Sequence, residues 1–122
     1  MLKKILIVDD EADVVEALEA RLKAKRYSVT MAKSGREALM KAKEIGPDLV
    51  ILDIMMPDMD GTEAARVLSD DNTTKDIPII FLTALQTKED EKKQGPGIGE
   101  NVVFAKPFEF DKLLKKIKEL IG

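Results

Sequence analysis

Five short apolar runs punctuate the chain, and nearly every one is followed by a polar residue and then by a stretch with helical spacing. Ile5 to Val8 runs into Asp9, Asp10 and Glu11, after which Val15, Leu18 and Leu22 recur at helical intervals. This pattern predicts a buried strand followed by an amphipathic helix. Tyr27 to Ala32 alternates weakly, as a strand does. Ser34 is placed to cap a helix carrying Ala38, Leu39, Ala42 and Ile45, with Glu37 completing a capping box and Gly46-Pro47 ending it. Leu49 to Leu52 is the third strand, and Thr62 to Leu68 a helix after Gly61. Ile77 to Leu82 and Val102 to Ala105 are strands four and five. Phe110, Leu113, Leu114, Ile117 and Leu120 mark the apolar stripe of a last helix.

Mostly continuous apolar strands alternating with helices imply a parallel sheet covered on both faces, an α/β doubly wound fold. One segment fits poorly. The sequence from Gln86 to Asn101, "QTKEDEKKQGPGIGEN", has almost no apolar face and contains Gly95-Pro96-Gly97, so a short or frayed helix followed by a long mobile loop is expected there. At 122 residues and 44% hydrophobic composition the chain suits one domain, residues 1–122.

Composition narrows the chemistry. The net charge is -3 and the basic residues are dispersed among acids, so direct nucleic-acid binding is not indicated. There is no cysteine, histidine or tryptophan. Zinc and iron–sulfur sites lose their usual ligands, Ser–His–Asp and Cys–His catalysis are excluded, and any bound metal should be a hard, oxygen-liking cation. The four apolar residues near the N-terminus are too few for a membrane span or signal peptide, which makes a cytoplasmic location the expectation and a membrane partner unexpected.

The polar residues that end the strands carry the candidate site. They are Asp9 and Asp10 after strand one, Asp53 after strand three, Thr83 after strand four and Lys106 after strand five. In open α/β sheets the ligand crevice lies outside the carboxyl ends of the strands, where strand order reverses. Carboxylates gathered there repel one another, and a divalent cation relieves them. Magnesium suits such a crevice, with manganese as the alternative hard cation. A lysine ammonium and a threonine hydroxyl can hold phosphate oxygens, and Asp53 is the nucleophile that remains for an aspartyl-phosphate. "MPDMDG" is not a calcium loop, because its first and twelfth ligand positions fall on Met56 and Val67.

The segments "ILIVDDE", "LVILDIMMPDMDG", "IPIIFLTA" and "KPF", in this order and spacing, resemble the receiver domain of bacterial two-component response regulators over essentially the whole chain. The resemblance implies a flavodoxin-like (CheY-like) five-stranded sheet of order 2-1-3-4-5. It implies that Asp53 is the phosphoacceptor, that Asp9, Asp10 and the Met55 backbone carbonyl join it in holding Mg2+, that Lys106 contacts the phosphoryl group and that Thr83 is the switch hydroxyl. It further implies a small residue, Ala84, beside the phosphate pocket and a cis Lys106-Pro107 bond. The partners implied are a sensor histidine kinase or histidine phosphotransfer protein, which supplies the histidine this chain lacks, and a downstream protein target or output domain. The sequence leaves open whether the receiver acts alone or within a longer regulator.

Two other classes compete. An aspartate-based phosphohydrolase would carry a second acid two residues after its nucleophile, where this chain has Met55; a phosphorylation-independent interaction module would not need the full reactive set. The chain also departs from the family at strand five. The aromatic residue often found three positions before the lysine is replaced by Val103, and Phe104 falls on the opposite face by alternation. Finally, neither Met55 nor Leu85 can orient an attacking water by hydrogen bonding, so slow self-dephosphorylation is expected.

Overall fold

A computed structural model of the protein describes residues 2–84 and 102–122. The chain runs β1 (Lys4–Val8), α1 (Ala12–Ala24), β2 (Ser28–Ala32), α2 (Gly35–Ile45), β3 (Leu49–Asp53), α3 (Gly61–Asp70), β4 (Ile79–Thr83), β5 (Val102–Ala105) and, last, α4 (Phe110–Ile121). All strands are parallel, in the order β2-β1-β3-β4-β5. The expected helix and loop between Gln86 and Asn101 lie outside the described residues.

Continuous apolar strands form the centre because both faces of the sheet are covered. Alternate residues sort to opposite sides. Ile5, Ile7, Leu49, Ile51, Ile80 and Leu82 pack with Val15, Leu18 and Leu22 of α1 and with Leu113, Leu114 and Ile117 of α4. Leu6, Val8, Val50, Leu52 and Phe81 pack on the other side with Ala38 and Ala42 of α2 and Ala64, Ala65 and Leu68 of α3. At about 1.5–3 kcal/mol for each fully buried large apolar side chain, these two layers hold the central strands in register. Arg21 of α1 also lies over the Phe110 ring, 5.1 Å from its centroid, joining α1 to α4.

Local signals explain most element ends. Ser34 caps α2 by accepting from the Glu37 amide at 3.2 Å. The Glu37 carboxylate reaches back to the Lys33 amide rather than to Ser34, so the reciprocal cap is displaced by one residue. Gly46 ends α2 at φ 55, the left-handed conformation a glycine adopts without Cβ strain. Tyr27 differs from its sequence reading. It precedes β2 and is buried, because Arg26 at φ 69 turns the chain and the Tyr27 amide donates to the Leu22 carbonyl. Strand four begins at Ile79 because Pro78 has no amide hydrogen, although its carbonyl accepts from Val50.

The loop from β3 to α3 is fastened at three points. The Ile54 amide donates to the Leu82 carbonyl at 2.9 Å, and the Gly61 amide donates to the Ile54 carbonyl at 2.8 Å. Asp58 reaches across to the start of α2, where its two oxygens accept from the Gly35 and Arg36 amides, each at 3.2 Å. Asp60 caps α3 through the Thr62 amide at 2.8 Å. Gly61 sits so close to β3 that a Cβ there would lie 2.2 Å from the Asp53 carbonyl oxygen. Backbone cannot yield as a flexible side chain does. Gly61→Ala is therefore expected to destabilise the protein by about 1–3 kcal/mol or more in urea unfolding, despite the higher helix propensity of alanine.

Candidate functional site

The reversal of strand order places β1 and β3 side by side, and their carboxyl ends deliver three acids to one place. Asp9 follows β1 and is buried; Asp10 beside it is exposed; Asp53 closes β3 and is 3% exposed. One carboxylate oxygen from each of the three lies within 4.8 Å of the others. Asp9 is steadied by the Glu11 amide, which donates to Oδ1 at 2.9 Å. Asp53 is steadied in the same way by the Met55 amide, which donates to Oδ1 at 3.2 Å.

Lys106 comes from the far side of the sheet. Its amide donates to the Thr83 carbonyl at 2.7 Å, which sets where the side chain starts. The ammonium donates to Asp9 Oδ2 at 2.7 Å and to Glu11 Oε1 at 3.0 Å, and stands 3.5 Å from Asp53 Oδ2. The Lys106-Pro107 peptide bond is cis. Thr83 is buried at the end of β4, one residue beyond Leu82, the strand partner of Asp53. Ala84 is exposed next to it, as is the Met55 side chain.

All the acids and the lysine named from the sequence thus converge. Two participants carried weaker signals. Glu11 reads as one more acid at a strand end, and its pairing with Lys106 spans 95 positions of sequence. Gly61 reads as a helix boundary, although its closer role is to let α3 approach the Asp53 main chain. Asp58 and Asp60 serve as helix caps. Asp58 loses some solvation, yet the Arg36 and Gly35 amides hold its carboxyl below the usual carboxylate range.

The charges are unequal to one another. Desolvation first and the neighbouring Asp9 charge second push the Asp53 carboxyl up to about 6, against the opposing pull of Lys106 and the Met55 amide. Lys106 moves the other way. Burial disfavours its charge, but hydrogen bonds to Asp9 and Glu11 and the charges of Asp9 and Asp53 raise it to about 12. One lysine does not neutralise the carboxylates around it. An all-oxygen donor set with surplus negative charge fits a hard divalent cation.

Residues 5–118 match the family described as the response regulator receiver domain. The chain belongs to that family. Response regulator PleD of Caulobacter vibrioides is 40% identical to it over 120 residues, covering 98% of the chain and 26% of PleD. The chain spans about a quarter to about half the length of the curated relatives it matches. Among solved structures, response regulator TrrA from Thermotoga maritima, in complex with Mg2+-BeF, is 37% identical, with a TM-score of 0.82 over 98% of this chain and 99% of that one. The receiver domain of sensor histidine kinase PA1611 from Pseudomonas aeruginosa has a magnesium ion coordinated in its active-site cleft. It is 31% identical, with a TM-score of 0.85 and coverage of 100% and 99%. Receiver domains are signalling domains of two-component systems, and the sheet order of this one is the 2-1-3-4-5 that the sequence resemblance implied.

The raised Asp53 pKa has a defined consequence for stability. A carboxyl that binds its proton more tightly when folded than when unfolded costs stability as pH rises from its unfolded pKa toward its folded one. Above about pH 6 the cost is complete; below the unfolded value it vanishes. In metal-free protein Asp53→Asn is expected to raise the urea midpoint at pH 7.5, by an amount equivalent to about 1–2 kcal/mol, and to bring little gain near pH 4. Magnesium should reduce the gain at pH 7.5 by stabilising the wild type more than the variant, which has one carboxylate fewer in the cluster.

Proposed function

We propose that residues 1–122 act as one receiver unit in which Asp53 accepts a phosphoryl group from a phosphohistidine of a sensor histidine kinase or histidine phosphotransfer protein. The observation that carries this reading is the meeting of three carboxylates within 4.8 Å beside a lysine 3.5 Å from Asp53. An Asp53 carboxylate oxygen attacks phosphorus and forms a new O–P bond. The P–N bond to the partner's imidazole breaks, and the leaving nitrogen keeps the electron pair and takes a proton from solvent. The chain has no histidine of its own, so the donor must come from outside it.

Asp9, Asp10, Asp53 and the Met55 backbone carbonyl are the groups that would hold Mg2+, whose charge, when bound, would offset the negative charge gathered on the phosphoryl oxygens. Neighbouring receivers carry magnesium, and nothing favours manganese over it. Lys106 supplies a second positive charge and a donor for a phosphoryl oxygen. Thr83 supplies a hydroxyl at the buried end of β4 that can turn to the same group, the step that would convert a local charge into a change of shape. A downstream protein or an output domain would read that change. The reading also places the protein in the cytoplasm, where its kinase partner presents the phosphohistidine; among the described residues no helix is long and apolar enough to cross a membrane.

Incubation with acetyl phosphate and Mg2+ should add one phosphoryl group to the wild type by intact mass, and none to Asp53→Ala. Equal labelling of the two would overturn the assignment. The phosphorylated form should persist for minutes or longer at neutral pH, because the exposed Met55 thioether offers an attacking water no orienting hydrogen bond. Leu85, the other residue expected to flank that path, lies outside the described residues. Loss of the label within seconds, followed by quenched mass spectrometry, would refute this expectation.

A further inference from the structure

The lysine that a phosphoryl group on Asp53 would require is already engaged elsewhere. Of its three acidic neighbours, Asp9 and Glu11 lie at 2.7 and 3.0 Å, and Asp53 is the most distant at 3.5 Å. Asp9 belongs to the carboxylate cluster, so a dication drawn there weakens its hold on the ammonium. Glu11 stands apart from that cluster. Its side chain is 57% exposed, and although Glu11 occupies the N-cap position of α1, that side chain makes no capping bond. Among the described residues its one side-chain hydrogen bond is to Lys106.

We infer that Glu11 is a positioning residue: it draws the Lys106 ammonium back from Asp53 and thereby limits how fast Asp53 is phosphorylated. This rests on Asp53 being the phosphoacceptor. To meet the incoming phosphoryl oxygens the lysine must give up the Glu11 carboxylate, which adds to the barrier. The pair is half open to water, so its removal should accelerate phosphorylation only modestly, by about two- to fivefold.

Loss of the Glu11 charge could also speed the reaction simply by easing repulsion of an anionic donor, and two variants separate these causes. Glu11→Gln removes both the pull and the repulsion. Glu11→Asp keeps the charge but withdraws it by one methylene, and an aspartate at an N-cap turns its carboxylate onto the helix amides instead.

The test compares wild type, Glu11→Gln and Glu11→Asp at saturating Mg2+ and acetyl phosphate, following labelling by intact mass. The side-chain NMR signals of Lys106 are recorded in parallel on the metal-free proteins. Both variants should label faster, and the Lys106 signals should move in both. Acceleration in Glu11→Gln alone, or in neither, would overturn the inference, as would unchanged Lys106 signals. Wild type that takes no label would refute the phosphoacceptor reading and this inference together; three equal rates would refute only this one.

Discussion

The site is built around a carboxylate, Asp53, that the fold keeps almost fully buried at the end of a central strand at a cost in stability. Isolated, such a group would take up a proton or unfold its surroundings. Here the Met55 amide and the Lys106 ammonium oppose burial and the nearby Asp9 charge, and they do so incompletely, which is why the Asp53 carboxyl rises to about 6. The shortfall is useful. A site already satisfied by its own residues would gain little from a cation, whereas this one retains unmatched negative charge among Asp9, Asp10 and Asp53.

Holding that charge in place demands stiffness around it, and the β3–α3 loop shows where the stiffness originates. Asp58 fastens the loop to the first amides of α2, and Gly61 lets α3 pack directly against the Asp53 main chain. Both acids of "PDMDG" are spent on helix N-termini, where a negative charge meets unpaired amides and the positive end of the helix dipole. The segment that follows Asp53 is thus braced by two helices as well as by its strand.

Much of this was legible in the sequence because the signals are local. Apolar runs such as "ILIV" and "VIL" specify buried parallel strands, Ser34 and Gly46 bracket α2, and the polar residues that end four of the five strands mark the edge where the acids and Lys106 meet. What was not legible depends on closure over long distances. Nothing near Asp58 indicates that it will cap a helix 22 to 23 residues earlier, and nothing near Glu11 indicates Lys106. Tyr27 read as a strand residue because alternation cannot register the positive φ of Arg26 that turns it into the core. Sequence periodicity describes faces, and these features are set by where the faces meet.

Strand β5 shows how such geometry bears on signalling. Val103 packs toward the α2 and α3 layer, while Phe104 packs toward α1 and α4 along with Phe108 and Phe110. The aromatic bulk of this strand therefore lies on one side of the sheet, and the other side carries Val103, the strand partner of Phe81, and no ring. Position 103 thus offers no ring beside the end of β4. The direct tie between these strand ends is instead main chain, from the Lys106 amide to the Thr83 carbonyl at 2.7 Å. That bond ties the end of β4 to Lys106, the residue whose side chain reaches Asp9, Glu11 and Asp53, so the position of the Thr83 main chain and the charges at the ends of β1 and β3 are linked through a single lysine.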